Sequence, residues 1–452
     1  MENKHQRFRY RSLDELRQDV DALGLELQFS EDVETLLSPL ELEGRTIPNR
    51  LAVNPMEGCD GTADGAPGEL TFRRYQRFAR GGAGLIWFEA TAVVPEGRAN
   101  PRQLYLHPGS APAFRELVDS TLAAAQDSLG EDFRPLTVLQ LTHSGRYSRP
   151  QGERAPVIAF RDPLLDPVTG VTPQQEPITD DQLDQLLDEF VAAAKLARDV
   201  GFDAVDLKHC HRYLTSELLA AHIRPGKYGG SLENRTRFFL ELVDRVRDAV
   251  GDSLIITTRL NVYDGHPYPY GWGVKPEEGS TEVCLDEPLW LVQELARRGV
   301  GLINVTAGNP YYTPHINRPY DQPLPGADVP PEHPLVGVNR LVQITKEIQR
   351  AVPEVLIQAS GYSWLRQFFP NAGAAAVKQG WASIIAVGRL GFAYPDFAKD
   401  LMERGQLDPR KVCITCSKCT QIMRLGGQAG CPIRDSEVYV PILRAGLESS
   451  DS

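Results

Sequence analysis

Short apolar runs alternate with longer stretches of helical periodicity along most of this chain. The runs are rich in Val, Ile and Leu and show no strict alternation of apolar and polar positions, which is typical of parallel strands buried on both faces. The pattern predicts eight parallel strands, at 51–55, 84–90, 136–141, 204–207, 254–259, 301–305, 355–358 and 383–387.

Amphipathic helical patterns follow the strand candidates. The clearest covers 179–200, where Leu183, Leu187 and Phe190 recur at helical spacing. Thr179, with Gln182 three residues later, is typical of a capping box at its start. Further helices are predicted near 71–80, 111–129, 232–250, 286–299, 336–351, 363–380 and 394–404.

Eight alternations of strand and helix favour an α/β fold of the (β/α)₈ TIM barrel type. The alternative is a doubly wound open sheet. No Gly-x-Gly-x-x-Gly motif follows any of the strand candidates, so a Rossmann dinucleotide domain is not expected.

Three segments fall outside this alternation. Residues 1–38 are predicted to form a charged helical extension before the barrel at 39–404. Residues 405–452 hold a cysteine-rich segment and a polar tail that we expect to be disordered. Residues 264–285, after the fifth strand, are rich in Pro, Gly and aromatic side chains, and we interpret this insertion as part of a lid or as a plain surface loop.

Composition and charge narrow the function classes. The chain has 452 residues, a net charge of −12 and a pI near 5.4. The surplus of acid disfavours nucleic-acid binding, which usually requires a basic surface. No run of 18 apolar residues predicts a membrane span, and the N-terminus lacks the apolar core of a signal peptide. We therefore expect a cytoplasmic enzyme with a small-molecule substrate, no nucleic-acid partner and no membrane partner.

Groups that carry protons or bind anions follow the fourth strand. Lys208, His211 and Tyr213 lie within six positions of its end. The carboxyl ends of barrel strands form the active site, so these three are candidate catalytic residues. The alternative is a polar loop whose histidines satisfy backbone groups. A metal pair made by His209 and His211 is disfavoured, because no carboxylate lies in register with them.

The ends of the last two strands carry a candidate phosphate site. The seventh strand runs into Gly361, and the eighth runs into Gly388 and Arg389. Glycine permits close approach of the backbone, arginine offers a charge-assisted fork, and barrels frequently bind phosphate at these two loops. The alternative is that the glycines only form turns.

Four of the seven cysteines lie within nineteen residues near the C-terminal end of the chain. Cys413, Cys416 and Cys419 are evenly spaced, and Cys431 follows after eleven residues with a proline behind it. This arrangement argues for a metal site rather than a disulfide framework. Four such thiolates can ligate zinc or an iron–sulfur cluster. Zinc ribbons prefer two separated pairs, so the spacing favours a 4Fe–4S cluster.

The region around the fourth strand resembles the Old Yellow Enzyme family of FMN oxidoreductases. The resemblance rests on the pattern Lys208-x-x-His211-x-Tyr213 and on the motif YGGSLENR at 228–235, which matches residue for residue. It extends over nearly the whole chain. The spacing of the cysteines, and their place after the last strand, are similar to the iron–sulfur branch typified by 2,4-dienoyl-CoA reductase and trimethylamine dehydrogenase.

The resemblance implies that the chain binds noncovalent FMN and a 4Fe–4S cluster ligated by the four cysteines. It also implies that Gln140 holds the pyrimidine ring of the flavin and that Arg259 lies near flavin N1, where a cation stabilises the reduced form. The phosphate would lie among the residues that follow strands seven and eight, namely Gly361, Gly388 and Arg389.

Glu57 is the main departure from the family among the flavin contacts. Relatives place Thr, Ser or Cys beside flavin O4 and N5, directly after Pro-Met or Pro-Leu. Here Met56 is followed by Glu57. A carboxylate at this point disfavours an anionic reduced flavin unless it is protonated or paired. Either Glu57 turns away from the flavin or the flavin is tuned differently in this chain.

The family also implies roles for the strand-four residues. Two groups three residues apart hold the carbonyl oxygen of the substrate, and here they are Lys208, where His is usual, and His211. Tyr213 would donate a proton while flavin N5 donates a hydride. The implied reaction is hydride transfer between the flavin and a conjugated, carbonyl-activated substrate of the enone or enoate type.

Other functions stay open at this point. One is an amine dehydrogenase or demethylase that passes electrons through the cluster to a carrier protein. Another is a non-catalytic electron-transfer subunit, and a zinc-bearing aldolase or lyase comes last. Larger relatives append a second half that binds FAD or ADP and NAD(P)H, and this chain ends just past the cysteines. We therefore expect either NAD(P)H docking over the flavin or an electron-carrier protein, and we count a homo-oligomer among the expected partners.

Overall fold

A closed barrel of eight parallel strands is the centre of the structure, a computed structural model that describes residues 3–450. Its strands pair in chain order, and the last strand closes on the first. All eight predicted strands are present, with ends that differ by a few residues. They are Leu51–Val53 (β3), Leu85–Ala92 (β4), Leu136–Thr142 (β5), Ala204–Leu207 (β6), Ile255–Asn261 (β7), Leu302–Thr306 (β8), Leu356–Ala359 (β9) and Ile384–Val387 (β10).

A short hairpin, β1 at Leu40–Leu42 and β2 at Arg45–Ile47, closes one end of the barrel. Its Leu42 and Ile47 are buried in one cluster with Leu85, Leu136 and other residues from the starts of barrel strands. The hairpin therefore covers the end where the strands begin. The opposite end, where the strands finish, is left for loops that carry function.

Helices surround the barrel and bury their apolar faces against it. Thr179 caps α5 by accepting a hydrogen bond from the Gln182 backbone N at 3.2 Å, as its sequence predicts. The helices are Leu13–Ala22 (α1), Glu69–Arg80 (α2), Ala111–Leu129 (α3), Asp166–Thr169 (α4), Asp180–Asp199 (α5), Leu214–Leu219 (α6), Leu232–Val250 (α7), Asp286–Arg297 (α8), Pro314–Asn317 (α9), Pro334–Ala351 (α10), Phe369–Lys378 (α11), Arg389–Ala393 (α12), Phe397–Arg404 (α13), Lys418–Arg424 (α14) and Ser436–Ser450 (α15).

One predicted helix is divided in the structure. The segment predicted as one helix near 363–380 is a 3₁₀ turn, Tyr362–Phe368, followed by α11. The break lies where Arg366 has a φ of 51°, a left-handed conformation that an α-helix does not accommodate. The helix predicted near 394–404 is α13, and a separate short helix, α12, precedes it.

The N-terminal extension contains one helix of ten residues, α1, and a 3₁₀ turn at Glu34–Leu37. Residues 3–11 are not helical, which differs from the prediction of a helical extension over 1–38. They are held instead by aromatic packing and by a hydrogen bond from their backbone to an aspartate side chain. Phe8 packs edge-on against Trp364, and its backbone N donates to Asp321 Oδ1 at 3.1 Å. Residues 1 and 2 lie outside the described part of the chain.

The expectation of a disordered tail is wrong for the residues after the cysteines. Residues 436–450 form α15, and Tyr439 and Leu443, four positions apart, bury one face of it beside Ile422. Asp435 fixes the start of this helix through ion pairs with Arg73 and Arg77. The polar residues at the end of α15 masked this amphipathic pattern in the sequence. Residues 451 and 452 lie outside the described range.

The insertion at 264–285 packs into the molecule at its centre. Trp272 is fully buried, and its indole Nε1 donates to the backbone O of Asn261 at 3.0 Å. His266 is also buried, with Nε2 2.9 Å from Asp162 Oδ2. The insertion is therefore not a plain surface loop, and its role as a lid stays a prediction. Within residues 3–450, no helix is both long and apolar enough to cross a membrane.

Candidate active site

A cavity of about 210 Å³ opens where the barrel strands end. Its lining includes residues that directly follow β3, β6, β9 and β10. The structure brings together around it all ten residues predicted for the flavin and for catalysis: Met56, Glu57, Gln140, Lys208, His211, Tyr213, Arg259, Gly361, Gly388 and Arg389.

The charge of the cavity lining is strongly positive although the chain as a whole is acidic. Glu57 is the one carboxylate among the described residues that line it. Against it stand five cationic side chains, Lys208, Arg259, Arg318, Arg389 and Arg424. Three of them, Lys208, Arg259 and Arg389, are buried and have no carboxylate ion-pair partner among the described residues. Buried cations of this kind are costly, so the cavity favours an anionic ligand.

Lys208 continues β6 and lies at the base of the cavity. Its Nζ stands 3.7 Å from the centre of the Tyr213 ring and forms no hydrogen bond within residues 3–450. The side chain is buried, and burial lowers the pKa of the Lys208 ammonium, an effect that nearby Glu57 and Cys210 partly offset. The ammonium is therefore free to bind an anionic or partly negative oxygen in the cavity.

His211 projects into the cavity from a strained turn, in which its φ is 67°. Its buried Nε2 has no hydrogen-bond partner among the described residues. Burial, together with the charges of Arg259 and Lys208, holds the pKa of His211 well below its usual range. His211 is therefore a neutral imidazole, able to donate one hydrogen bond to a ligand oxygen.

Tyr213 presents a protonated phenol to the cavity. Its hydroxyl lies 2.8 Å from the hydroxyl of Tyr311. Burial, followed by the negative charge of Glu57, raises the pKa of Tyr213 well above its ordinary value. Tyr311 has 37% of its surface exposed, so the hydrogen bond links the buried Tyr213 to a partly exposed residue.

The two residues between Lys208 and His211 point away from the cavity. The His209 ring stacks on Phe239 with 3.4 Å between ring centres, and its Nδ1 lies 3.0 Å from the Leu207 carbonyl oxygen. Cys210 is fully buried. Neither belongs to the cavity lining. The turn therefore selects Lys208, His211 and Tyr213 as the groups that face a ligand.

Gln140 and Arg259 are held in positions suited to a flavin ring. The buried Asp206 accepts hydrogen bonds from Gln140 Nε2 at 2.5 Å and from the Arg259 backbone N at 2.7 Å. The amide oxygen of Gln140 is then the atom left for a ring N–H in the cavity. The Arg259 guanidinium is buried, and its Nε has no partner among the described residues. Both features fit the pyrimidine half of a flavin.

The loops after β9 and β10 form a closely packed corner. Gly361 has a φ of 98°, and a Cβ on it would come within 2.4 Å of Leu341 Cδ1. A Cβ on Gly388 would lie 3.2 Å from Met56 Sδ. Arg389 Nη2 donates to the Pro319 carbonyl at 2.7 Å, while its buried Nη1 has no partner within residues 3–450.

Arg318, after β8, joins Arg389 in this corner and was missed by the sequence reasoning. Arg318 Nη1 donates to Thr420 Oγ1 at 2.8 Å, and its Nε has no partner among the described residues. Burial lowers the pKa of the Arg318 guanidinium, and the charge of Arg389 lowers it further. Two adjoining guanidinium groups without an acid fit the phosphate of FMN.

Glu57 faces the cavity rather than turning away from it. Its Oε1 accepts a hydrogen bond from Gln103 Nε2 at 2.6 Å. Burial raises the pKa of the Glu57 carboxyl, and the charge of Lys208 lowers it in part. The structure therefore does not turn Glu57 away from the cavity, and its effect on a flavin stays a prediction.

The four cysteines of the C-terminal segment line one small cavity together: Cys413, Cys416, Cys419 and Cys431. Within residues 3–450, no three His, Cys, Asp or Glu side chains are close enough to hold a single metal ion. A 4Fe–4S cluster requires ligands that lie further apart than those of a single ion, because each cysteine binds a different iron. Burial raises the pKa of the Cys413 thiol to about 12 and that of Cys431 to about 11, so ligation would have to displace their protons. The donor set fits a 4Fe–4S cluster.

The cysteine segment is fastened beside the larger cavity. The backbone N of Ala429 donates to the Gly58 carbonyl at 2.6 Å, and Ser417 Oγ donates to the Gln322 carbonyl at 2.7 Å. Cys419, Arg389 and Phe392 line both the cysteine cavity and the large cavity. The two cavities therefore adjoin, with Cys419 and Phe392 at their boundary.

A family model described as the NADH:flavin oxidoreductase / NADH oxidase family matches residues 35–269. Among curated proteins, an NADPH dehydrogenase of Geobacillus sp. (strain WCH70) is 32% identical over 281 residues, which is 61% of this chain and 74% of that protein.

Solved structures share the fold at low sequence identity. A 2-naphthoyl-CoA reductase in complex with 2-naphthoyl-CoA aligns with a TM-score of 0.69 and 19% identity, over 92% of this chain and 58% of that one. Histamine dehydrogenase from Rhizobium sp. 4-9 aligns with a TM-score of 0.68 and 21% identity, over 90% of this chain and 53% of that one. This chain thus spans little more than half of either structure. The family match and the barrel together establish that the chain belongs to the NADH:flavin oxidoreductase / NADH oxidase family and is an FMN-dependent oxidoreductase.

Proposed function

We propose that the chain transfers a hydride between FMN and a conjugated substrate activated by a carbonyl group. The observation that carries this proposal is the set of three hydrogen-bond donors at the end of β6, two of which have no partner among the described residues. Lys208 Nζ and His211 Nε2 have no hydrogen-bond partner among the described residues, and both belong to side chains that face the cavity beside the Tyr213 phenol. Bound FMN supplies the hydride donor and acceptor.

The first task of these residues is to hold the substrate oxygen. Negative charge grows on the carbonyl oxygen of an enone or enoate when a hydride adds to its β carbon. Lys208 would place a cation there and neutral His211 would donate a hydrogen bond, both from groups whose pKa burial lowers. Donors that are fixed in advance where charge develops lower the barrier.

Tyr213 is the proposed proton donor. Its raised pKa keeps the proton on the phenol until it is transferred to the substrate carbon that becomes basic when the hydride adds. The hydrogen bond to Tyr311, which is partly exposed, offers a route by which the proton is replaced from solvent. Glu57 adds negative charge nearby, which stabilises the phenol form of both tyrosines.

We further propose that the four cysteines hold a 4Fe–4S cluster that exchanges electrons with the flavin site. The support is the boundary shared by the two cavities, where Cys419 and Phe392 contribute to both linings. Electrons would enter from NAD(P)H bound over the flavin or from a carrier protein at the cluster. The NADPH dehydrogenase among the relatives is consistent with a nicotinamide donor.

The test is a screen with anaerobically reduced holoenzyme. Mixing it with 2-cyclohexenone, cinnamate or crotonyl-CoA should restore oxidised-flavin absorbance with at least one of them. Mass spectrometry of the released cofactor should find FMN, and metal analysis should find about four irons per chain. Released FAD would contradict the cofactor assignment, and stoichiometric zinc without iron would contradict the cluster.

A second function, amine oxidation, is favoured by one feature of the cavity. The Glu57 carboxyl lies beside Tyr213 and Tyr311, and Tyr147 stacks on Tyr311 with 4.1 Å between ring centres. Tyrosines and a carboxylate are groups that attract an organic cation. Reduction of the oxidised enzyme by histamine or trimethylamine, with no reoxidation by the conjugated carbonyls, would establish this function in place of the first.

A further inference from the structure

The residues that present His211 to the cavity form a tight turn with an unusual backbone, and we name Cys210–Tyr213 the His211 turn. The Tyr213 backbone N donates to the Cys210 carbonyl at 3.4 Å and closes it. Both central residues have a positive φ, 67° at His211 and 59° at Arg212. Glycine, asparagine and aspartate dominate such turns, because other side chains are crowded there. The surrounding structure must therefore impose this conformation on a histidine and an arginine.

The side chain of Arg212 anchors the turn from the side opposite to the cavity. Within residues 3–450, neither His211 nor Arg212 has a backbone hydrogen bond to another residue. The Arg212 guanidinium makes the contacts instead. Its Nη1 donates to Asp264 Oδ2 at 3.1 Å and to the Tyr270 carbonyl at 2.8 Å, and its Nη2 donates to Asp162 Oδ2 at 3.1 Å. The three charged side chains are fully buried, so this anchor is shielded from water.

The two acids of the anchor come from separate parts of the chain that are bonded to each other. Asp264 begins the insertion at 264–285, and Asp162 lies on the long loop after β5. Asp264 Oδ2 also accepts a hydrogen bond from the Trp272 backbone N at 3.1 Å. His266 Nε2 lies 2.9 Å from Asp162 Oδ2 and so joins the insertion to the loop. Insertion and loop together form a fixed socket for the guanidinium behind the turn.

Stability alone is a weak reason for this buried ion cluster. Charges that are taken out of water add little net stability even when they are paired, and one use of them is to select a single conformation. Arg212 does not line the cavity, so it can affect a ligand only through its neighbours. Those neighbours are His211 and Tyr213, and both line the cavity. A shift of the guanidinium would move the two residues together.

We propose that Arg212 is a positioning residue, whose guanidinium, held by Asp162 and Asp264, fixes the His211 turn and thereby aims His211 and Tyr213 at the ligand. The insertion at 264–285 then takes part in the reaction as a rigid support behind the turn. The roles of His211 and Tyr213 toward the ligand rest on the proposed hydride transfer. Misplacing a reacting group by about 1 Å costs about 10²-fold in rate, so a loosened anchor has a measurable effect.

Titration of the oxidised holoenzyme with 4-chlorophenol, followed by its charge-transfer band, tests the anchor without turnover. Arg212→Lys keeps the positive charge but loses the planar fork that reaches both aspartates. We expect the Kd to rise about three- to tenfold, which corresponds to the loss of one hydrogen bond from His211. Reoxidation of the reduced variant by 2-cyclohexenone should be about 10²-fold slower, with flavin reduction by NAD(P)H nearly unchanged.

A double-mutant cycle with His211→Ala separates positioning from a general structural role. If Arg212 acts through His211, the double variant Arg212→Lys/His211→Ala should bind 4-chlorophenol within about twofold of His211→Ala alone. Losses that multiply would overturn the proposal. Asp264→Asn removes one charge of the anchor and leaves Asp162 in place, so it carries the test if Arg212→Lys does not fold. Its Kd should rise about threefold, and this rise should likewise vanish in the His211→Ala background.

Arg366→Lys is the matched control. Arg366 is also an arginine with a positive φ, 51°, and it pairs with Asp321 at 2.6 Å, but neither residue lines the cavity. This variant should bind 4-chlorophenol as the parent does. Parental binding in both Arg212→Lys and Asp264→Asn, or an equal loss in Arg366→Lys, overturns the proposal.

The titration also separates the anchor from the proposed function, because no hydride moves in it. A parent enzyme that binds 4-chlorophenol, loses affinity in Arg212→Lys and yet is not reoxidised by any conjugated carbonyl compound would retain the anchor and lose the hydride-transfer function. A parent that turns over 2-cyclohexenone as fast as Arg212→Lys and Asp264→Asn do would lose the anchor alone. Absence of 4-chlorophenol binding in the parent would overturn the donor role of His211 and, with it, the anchor.

Discussion

Replacing Lys208 by methionine should weaken the binding of phenols that bind as phenolate. The ammonium lies 3.7 Å from the Tyr213 ring with no hydrogen-bond acceptor among the described residues, so it is available to a ligand oxygen. Methionine keeps the length and apolar stem of lysine and removes only the charge.

The size of the loss follows from two opposing effects. Two unit charges about 4 Å apart at an effective dielectric constant of 20 attract by about 4 kcal/mol. Part of this is offset because burial already lowers the pKa of the Lys208 ammonium. A charge-assisted hydrogen bond in such a setting contributes about 1.5–3 kcal/mol. A loss of about 2 kcal/mol is expected, which is roughly thirtyfold in Kd.

The assay is titration of the oxidised holoenzyme with 4-chlorophenol, followed by the long-wavelength charge-transfer band. 4-Chloroanisole cannot ionise, so its binding should be nearly unchanged in the variant. Lys227→Met is the matched protein control, because Lys227 also lies over a tyrosine ring, Tyr228 at 5.0 Å, but outside the cavity. A loss below about threefold, or an equal loss in Lys227→Met, would refute the assignment of Lys208 as the anion-binding group.

Three further changes test other parts of the site. Arg389→Ala should raise the Kd for FMN by about 10- to 100-fold, because a phosphate contact of about 1.5–3 kcal/mol is lost. Flavin retention on desalting measures this loss, and full retention would contradict the phosphate site. Cys419→Ser should lower iron to well below four per chain in anaerobic protein, whereas unchanged iron would remove this cysteine from the ligands. Burial alone would raise the pKa of Asp162, but the hydrogen bond to His266 and the charge of Arg212 outweigh it and lower the pKa to about 2. A lowered carboxyl pKa stabilises the folded state above pH 4, and this stabilisation is lost as pH falls towards 2. Asp162→Asn should therefore reduce the loss in free energy of unfolding over this pH range by about 2 kcal/mol. An unchanged acid transition would contradict this prediction.

The barrel and its catalytic end could be predicted because they depend on local patterns. Each strand is a buried run with its own flanking turn, and the residues that face the cavity follow such runs directly, as Lys208 and Gly388 do. The motif at 228–235 identified the family, but its residues do not line the cavity and instead hold α7 in place. Ser231 begins α7, and Arg235 ties that helix to Glu287 at 2.6 Å.

The residues that sequence reasoning missed reach the cavity from distant parts of the chain. Arg318 lies on the long segment after β8, where no motif marks it, and it meets the site only because that segment folds back over the barrel. Arg424 arrives on the cysteine segment by the same long-range packing. The helical tail was missed because its buried face has few residues, chiefly Tyr439 and Leu443.

The central claim is that Tyr213 gives the proton in hydride transfer to a conjugated carbonyl compound. The most direct measurement is anaerobic stopped-flow mixing of reduced holoenzyme with 2-cyclohexenone, for the parent and for Tyr213→Phe, beside the rate of flavin reduction by NAD(P)H. The account predicts reoxidation slowed by about 10²- to 10⁴-fold in the variant with flavin reduction nearly unchanged. Equal reoxidation rates in parent and variant would contradict it.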